Sequence, residues 1–171
     1  MADRITVHGA IVDGASAVPI DIVIETRPGL PGISIAGLQD NARVELRGIV
    51  RCALKAQDYS VPRDSITIDI VPSPGYNRNF SGRIRTPDSL ALPIALGILS
   101  ASEQLDPAYL EDKLYFGSLD FGGNVTSCRG TIAVENLCHE LNLQGVVSAA
   151  TPRGLRPAYP CLQTLDSISS G

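Results

Sequence analysis

The feature that most constrains the fold is the alternation of apolar and polar residues in two segments. Ser65–Val71 reads SITIDIV, and in Val18–Arg27 the isoleucines at positions 20, 22 and 24 face one way. Alternation with a period of two is typical of strands that bury one face and expose the other. Arg4–Val12 also resembles a strand, and the residues that separate it from Val18 favour a turn. The sequence therefore predicts a β-hairpin near the N-terminus.

Helical periodicity marks the segment that follows the third predicted strand. This helix begins at Asp40 or Asn41 and runs to about Gln57, with apolar residues along one face at Leu46, Ile49, Val50, Ala53 and Leu54. The remaining predicted elements are strands at 32–37, 114–119, 125–128, 146–149 and 161–165, and helices from about 88–91 to 102 and at 131–141. This order predicts an α+β fold, a mixed α/β sandwich whose helices pack mainly on one side of the sheet.

Length and hydropathy indicate one domain without a membrane segment. The chain has 171 residues, of which 44% are hydrophobic, which is enough for a core. We expect a single domain over residues 1–166 and a tail or boundary at 167–171. The longest apolar run, Leu90–Leu99, contains Pro93 and is well short of the roughly 18 residues that a membrane span needs. We therefore predict a cytoplasmic protein that does not contact a membrane.

The glycines of GLPGISIAGL, Gly29–Leu38, do not form a phosphate-binding loop. Such a loop needs a Gly-Lys dipeptide between a strand and a helix, and the chain contains none. The four cysteines form no Cys-x-x-Cys pair, and a zinc site built on Glu135, Cys138 and His139 would need further ligands. We therefore expect no cofactor and no metal in this chain.

Two groups of arginines are the candidate functional residues. The helix arginines recur every fourth residue beside the apolar face of the predicted helix: Arg43, Arg47 and Arg51. The loop arginines lie in the Pro-, Gly- and Asn-rich segment Pro72–Pro87, together with two aromatic residues: Arg78, Arg83, Arg85, Tyr76 and Phe80. Guanidinium groups bind phosphates through paired hydrogen bonds, and aromatic rings stack on unpaired bases. Both groups are therefore predicted to contact nucleic acid.

Other interpretations of these residues remain open. The helix arginines could form a solvated ridge, and the formal net charge of −4 opposes strong binding to DNA by this chain alone. In the loop, Tyr76, Phe80 and Ile84 could instead dock onto a neighbouring copy. That alternative makes the chain an oligomerisation or protein-interaction module.

Several segments, taken in order, resemble the magnesium-chelatase-like AAA+ ATPases of the ComM/YifB type. The similar segments are Gly29–Leu38, Arg43–Leu54, Ile66–Pro72, Leu92–Ser102 and Phe116–Gly130. The resemblance implies that the chain is the N-terminal domain of such a protein. It also implies a fold similar to the Lon protease domain and to the second domain of ribosomal protein S5.

In this family a AAA+ motor that binds ATP and Mg²⁺ follows the N-terminal domain and usually works as a hexamer. The resemblance thus implies a non-catalytic accessory domain whose partners are its own motor, which is absent from this chain, further copies of itself and, as another candidate, DNA. ComM-type members are linked to branch migration of DNA. By the same resemblance, the Lon serine region falls near Pro87–Ser89 and the lysine position near Ile132, so no Ser–Lys dyad is expected. A degenerate serine peptidase using Ser89 is the less favoured alternative.

Overall fold

A seven-stranded mixed sheet forms the centre of the computed structural model, which describes residues 4–13, 16–38, 40–74, 87–126, 128–148 and 161–162. The strands are β1 (Arg4–Asp13), β2 (Ser16–Arg27), β3 (Gly32–Ala36), β4 (Ser65–Pro72), β5 (Lys113–Phe116), β6 (Ser118–Leu119), β7 (Val125–Thr126), β8 (Gln144–Ser148) and β9 (Cys161–Leu162). The sheet order is β3-β4-β2-β1-β5-β8-β9, and β6 and β7 form a separate ladder. The helices are α1 (Asp40–Ala56), α2 (Ala91–Ala101) and α3 (Thr131–Leu141), and short 3-10 turns occupy Pro87–Leu90 and Pro107–Tyr109.

The predicted N-terminal hairpin is confirmed. Strands β1 and β2 pair antiparallel along their whole length, from Arg4 opposite Glu25 to Asp13 opposite Ser16. Strand β4 then pairs antiparallel with β2, and β3 pairs parallel with β4. The first four strands therefore form one half of the sheet, and β3 is its outer strand.

One face of this half carries the isoleucines that the alternation predicts to be buried. In β2, Ile20, Ile22 and Ile24 are fully buried, and in β4 the alternating set Ile66, Ile68 and Ile70 is buried in the same way. These side chains form one core cluster with residues of α1 and α2. The hydrophobic burial of this face fixes the register of the strands, because a slip of one residue would turn the isoleucines to solvent.

Helix α2 lies at the middle of that core, and each of its eleven residues is buried. A helix that is apolar on all sides requires partners all round. The sheet covers one side of α2, and α1 and β6 contact it elsewhere. Pro93 is its third residue and lies in the first turn, where a proline is tolerated because its missing N–H has no partner within the helix. Among the described residues, no helix combines the length and apolarity needed to cross a membrane.

Helix α3 packs on the opposite face of the sheet. A second cluster joins Val134, Leu137 and Cys138 of α3 to Ala10 of β1 and to Leu114 and Phe116 of β5. The fold is thus mixed α/β with a mixed sheet, and two of its three described helices share one face. The prediction that helices lie mainly on one side agrees with this arrangement, with α3 as the exception.

The prediction of one strand over 114–119 is wrong, because the chain leaves the main sheet at Gly117. The Gly117 N–H donates to the Ser89 carbonyl at 3.4 Å, and the Leu92 N–H donates to the Gly117 carbonyl at 3.2 Å. A Cβ at Gly117 would lie 3.1 Å from Val125 and 3.2 Å from Leu92. Backbone pairing with the start of α2 therefore replaces the sheet ladder, and β6 pairs with β7 instead.

Gly97 and Gly48 provide a matched test of how α2 packs on the sheet. A Cβ at Gly97 would lie 2.2 Å from Ile24 Cδ1 and 2.9 Å from Val7 Cγ2, both in the buried core. We expect Gly97→Ala to lower the free energy of unfolding by about 1–3 kcal/mol through overpacking. Gly48→Ala, on the exposed side of α1 with no atom within 4 Å, should raise it by about 1 kcal/mol. Urea unfolding measures both, and equal effects would contradict this packing.

Candidate interaction surface at the sheet edge

Helix α1 begins immediately beyond β3 and folds back over the edge of the sheet. Gly37 makes this turn possible, because its φ of +96° favours glycine and a Cβ there would lie 2.3 Å from the Ile70 carbonyl oxygen. The buried residues of α1 are Ala42, Leu46, Val50, Ala53 and Leu54, as the periodicity predicts apart from Ile49, which is half-buried. The helix arginines therefore lie on its outer side.

The three helix arginines have different surroundings. Arg43 forms an ion pair with Asp40, one turn earlier. Arg47 Nη1 donates a hydrogen bond of 3.3 Å to the backbone carbonyl of Ile33 in β3. Arg51 is exposed and has no polar partner among the residues that the structure describes. The three arginines therefore do not form a uniform solvated ridge. Two of them are bonded within the chain, and the third projects into solvent.

A shallow groove of about 300 Å³ lies between β3 and α1. We call it the edge groove, and it is lined by Ile33, Ser34, Ile35, Asp40, Arg43, Val44 and Arg47. Val44 is 60% exposed, so its apolar side chain is accessible from the groove. The groove therefore combines an apolar wall, two guanidinium groups and the outer strand of the sheet. Nothing in the sequence pattern indicates this groove, because it forms where two elements meet.

The loop arginines Arg78, Arg83 and Arg85, with Tyr76 and Phe80, lie outside the described residues. The described backbone nevertheless shows where their segment departs. Strands β3 and β4 are parallel, so the exit from β4 at Pro72 lies at the same end of the sheet as the passage from β3 into α1. The chain therefore leaves β4 at the end of the sheet where Arg43 begins the row of helix arginines.

By the resemblance, Ser89 and Ile132 correspond to the catalytic pair of Lon. The structure gives neither residue surroundings that suit catalysis. Ser89 is buried, and its Oγ donates to the Ala10 carbonyl at 2.9 Å. Ile132 lies on α3 with its side chain 54% exposed. Among the described residues, the hydroxyl of Ser89 is bonded to a backbone acceptor and not to a side chain that could act as a base.

A second cluster of polar residues, which the sequence pattern did not reveal, surrounds Asp21. Ser73 Oγ donates to Asp21 Oδ1 at 2.7 Å, and His8 Nδ1 lies 3.0 Å from the same oxygen. The hairpin register places His8 opposite Asp21, so this pair could have been found from the predicted strands. Because the serine is bonded to the carboxylate and not to the imidazole, the histidine does not activate the hydroxyl.

The cysteine, histidine and glutamate of α3 do not converge on a metal. Cys138 is buried in the second core cluster, whereas His139 is exposed. Burial, assisted by the negative charge of Glu135, raises the pKa of the Cys138 thiol to about 11, so the thiol stays protonated at neutral pH. Within the described part of the chain, no group of three or more potential ligands is close enough to hold a metal ion.

Two buried serines near α2 test the structural role of Ser89. We expect Ser89→Ala to lower the free energy of unfolding by about 1 kcal/mol, because the hydrogen bond to Ala10 is removed. Ser100 Oγ is also buried but has no hydrogen-bond partner within the described residues, so Ser100→Ala should be neutral or stabilising. Thermal and urea unfolding measure both. A peptidase activity that disappears in the Ser89 variant would contradict the structural assignment.

A family model and several individual proteins that match this chain all point to the same family. The family model described as subunit ChlI of Mg-chelatase matches residues 22–151. The uncharacterized protein YifB of Salmonella typhimurium is 34% identical over 127 residues, which are 74% of this chain and 24% of the relative. YifB of Escherichia coli is 32% identical over the same shares of the two chains.

The competence protein ComM of Haemophilus influenzae is 30% identical over 121 residues, which are 70% of this chain and 22% of ComM. The chain therefore spans about a quarter of the length of the curated relatives that it matches. The matched region includes β3, α1, β4 and α2, the elements that build the edge groove and the core beneath it. The chain thus belongs to the magnesium-chelatase ChlI-like family, with relatives of the YifB and ComM type.

Proposed function

We propose that this chain is a non-catalytic accessory domain of a magnesium-chelatase-like ATPase and that it positions DNA or neighbouring subunits. The family match over residues 22–151 carries the proposal, since a chain that spans a quarter of its relatives accounts for only part of their activity. One relative is named a competence protein, and this supports a role in DNA processing. The ATPase motor, with its ATP and Mg²⁺, would belong to the part of the protein outside this sequence.

The surroundings of the candidate groups support an accessory role. Ser89, the residue most open to a catalytic interpretation, is buried and hydrogen-bonded to the backbone. Cys138 is buried and holds its proton, and Asp21 binds Ser73 directly. These groups stabilise the fold in ways that suit a domain whose task is binding.

The arrangement of basic residues supports a surface for DNA at one end of the sheet. The loop arginines follow β4 in the chain, and β4 ends beside the start of α1, where the helix arginines begin. Among the latter, Arg51 projects into solvent and Lys55 follows one turn later, also exposed. A planar guanidinium suits the oxygens of a phosphate backbone. We therefore assign the contact with DNA to the loop arginines, because Arg51 lies about 16 Å along the helix axis from the start of α1, toward the opposite end of the sheet.

Assembly is the second part of the proposed role. We expect members of this family to assemble as rings of identical subunits. A domain that packs against the neighbouring subunits would keep the motors of the ring aligned with one another. We propose a homo-oligomer, a hexamer in the full-length cytoplasmic protein, with this chain packed against its own motor. A mass that depends on concentration and not on DNA would favour the oligomerisation role over the DNA role.

Fluorescence anisotropy with labelled single-stranded and four-way-junction DNA, over a series of salt concentrations, tests the DNA role. We expect affinity to fall steeply with salt, because each neutralised phosphate releases counterions. Replacing Arg78, Arg83 and Arg85 together by Ala should weaken binding. The slope of log affinity against log salt should also become shallower, by about 0.7–0.9 for each phosphate that the variant no longer neutralises.

Arg63 provides the matched control. It is exposed in the connection between α1 and β4, at the opposite end of β4 from Pro72. Arg63→Ala removes the same charge as a single loop substitution, yet it should leave binding and the salt slope unchanged. Equal losses of affinity in Arg63→Ala and in a single loop variant such as Arg83→Ala would indicate a general charge effect. No binding at micromolar protein and low salt would exclude direct contact between this chain and DNA.

A further inference from the structure

The outer strand of the sheet has an open flank within the described residues. Strand β3 pairs with β4 on one side and is the terminal strand in the sheet order. A terminal strand presents a row of backbone N–H and C=O groups to which another chain can pair. The edge groove follows this flank, so the open backbone lies beside a depression and not beside a convex surface.

The hydrogen bond made by Arg47 identifies which backbone groups face outward. Arg47 is exposed on α1 and its Nη1 reaches the Ile33 carbonyl, so this carbonyl points away from β4. Backbone groups of alternate residues in a strand point the same way, so those of Ile35 also face the open flank. Those of Ser34 face β4. At 3.3 Å the hydrogen bond from Arg47 is long, and a backbone N–H could replace it.

Exposed apolar side chains lie in the edge groove and just before β3. Val44 lines the edge groove and is 60% exposed, and Leu30, two residues before β3, is 89% exposed. Both would be shielded from water if a further strand lay beside β3. Burial of these side chains adds affinity to the backbone hydrogen bonds, which is the usual division of roles when a peptide extends a sheet.

The charges around the groove select the occupant. The whole chain has a formal net charge of −4, yet the groove wall carries two arginines against one carboxylate, Asp40, which is already paired with Arg43. Arg51 and Lys55 continue the positive charge along α1. If an incoming strand donates its own N–H to the Ile33 carbonyl, the Arg47 guanidinium is released from that carbonyl. It can then pair with a carboxylate on the incoming strand.

We propose that the edge groove binds an extended, acidic polypeptide segment of a partner protein, which adds to β3 as an eighth strand of the sheet. A backbone N–H of the partner donates a hydrogen bond to the Ile33 carbonyl. The partner's apolar side chains cover Val44 and Leu30, and its carboxylates pair with Arg47. This role does not require DNA binding, since the loop arginines take no part in it.

NMR titration with a peptide tests this site directly. The probe is a peptide slightly longer than the five residues of β3, composed of glutamate, valine and threonine, and its counterpart has lysine in place of each glutamate. With the acidic peptide we expect chemical-shift changes at β3 and Val44. We also expect slower amide exchange at Ile33 and Ile35, with no change at Ser34, whose N–H already faces β4. The lysine peptide should not bind.

Charge-reversal variants separate the groove from general attraction. Arg47→Glu should weaken binding of the acidic peptide by about tenfold or more, because it places like charges together. Arg129→Glu changes the charge of the chain equally at an exposed position just before α3, which packs on the opposite face of the sheet, and should have little effect. Both side chains are exposed, so both variants should stay folded, and Arg47→Glu should lose only the small contribution of its one long hydrogen bond to Ile33.

Four results of the titration itself would overturn the proposal. They are no shift changes at peptide concentrations on the order of 1 mM, equal binding of the lysine peptide, unaltered affinity in Arg47→Glu, and protection of Ser34 in place of its neighbours. A dimer that forms without peptide and dissociates in Arg47→Glu would also overturn it, by showing that the flank joins two copies of this chain. Because DNA is absent from the titration, its result is independent of the anisotropy experiment.

Discussion

Complete burial of α2 is the constraint on which the rest of the structure depends. A helix with eleven buried residues cannot lie on a surface, so the chain must supply a cover on every side. The isoleucine face of the sheet supplies one side, and the close approach at Gly97 brings helix and sheet into contact. Helix α1 and strand β6 supply the others. The break in the predicted strand at Gly117 follows from this requirement, since the backbone there is paired with the start of α2.

The position of the candidate surface follows from the same packing. Because α1 must present its apolar residues to α2 and the sheet, its arginines are turned toward the edge of β3 and toward solvent. The far end of α1 is fixed by the β6–β7 turn, where Gln57 Nε2 donates to the Gly122 carbonyl at 2.8 Å. Gly123 has a φ of +82°, and a Cβ there would lie 2.4 Å from Gln57. A rigid core thus holds both ends of the helix that borders the groove.

Periodicity in the sequence predicted the elements whose burial is one-sided. The hairpin, β4 and the inner face of α1 were all predicted from alternation or helical spacing, because these patterns directly record which face is apolar. Contacts between residues distant in sequence leave no such record. The bond from Arg47 to Ile33, the bond from Ser73 to Asp21 and the buried hydroxyl of Ser89 all depend on how elements meet. The proposed role of the loop arginines stays a prediction, since those residues lie outside the described part of the chain.

The two surfaces differ in the ligand that their chemistry suits. A nucleic acid presents closely spaced phosphates and needs several unpaired cations. In the edge groove, however, Arg43 is paired with Asp40 and Arg47 is bonded to Ile33. An extended polypeptide needs fewer charges, because its backbone offers both donors and acceptors to an open strand. The edge groove therefore suits a peptide, whereas a role on DNA depends on the loop arginines. Because separate residues carry the two roles, this domain could hold a protein partner and DNA at the same time.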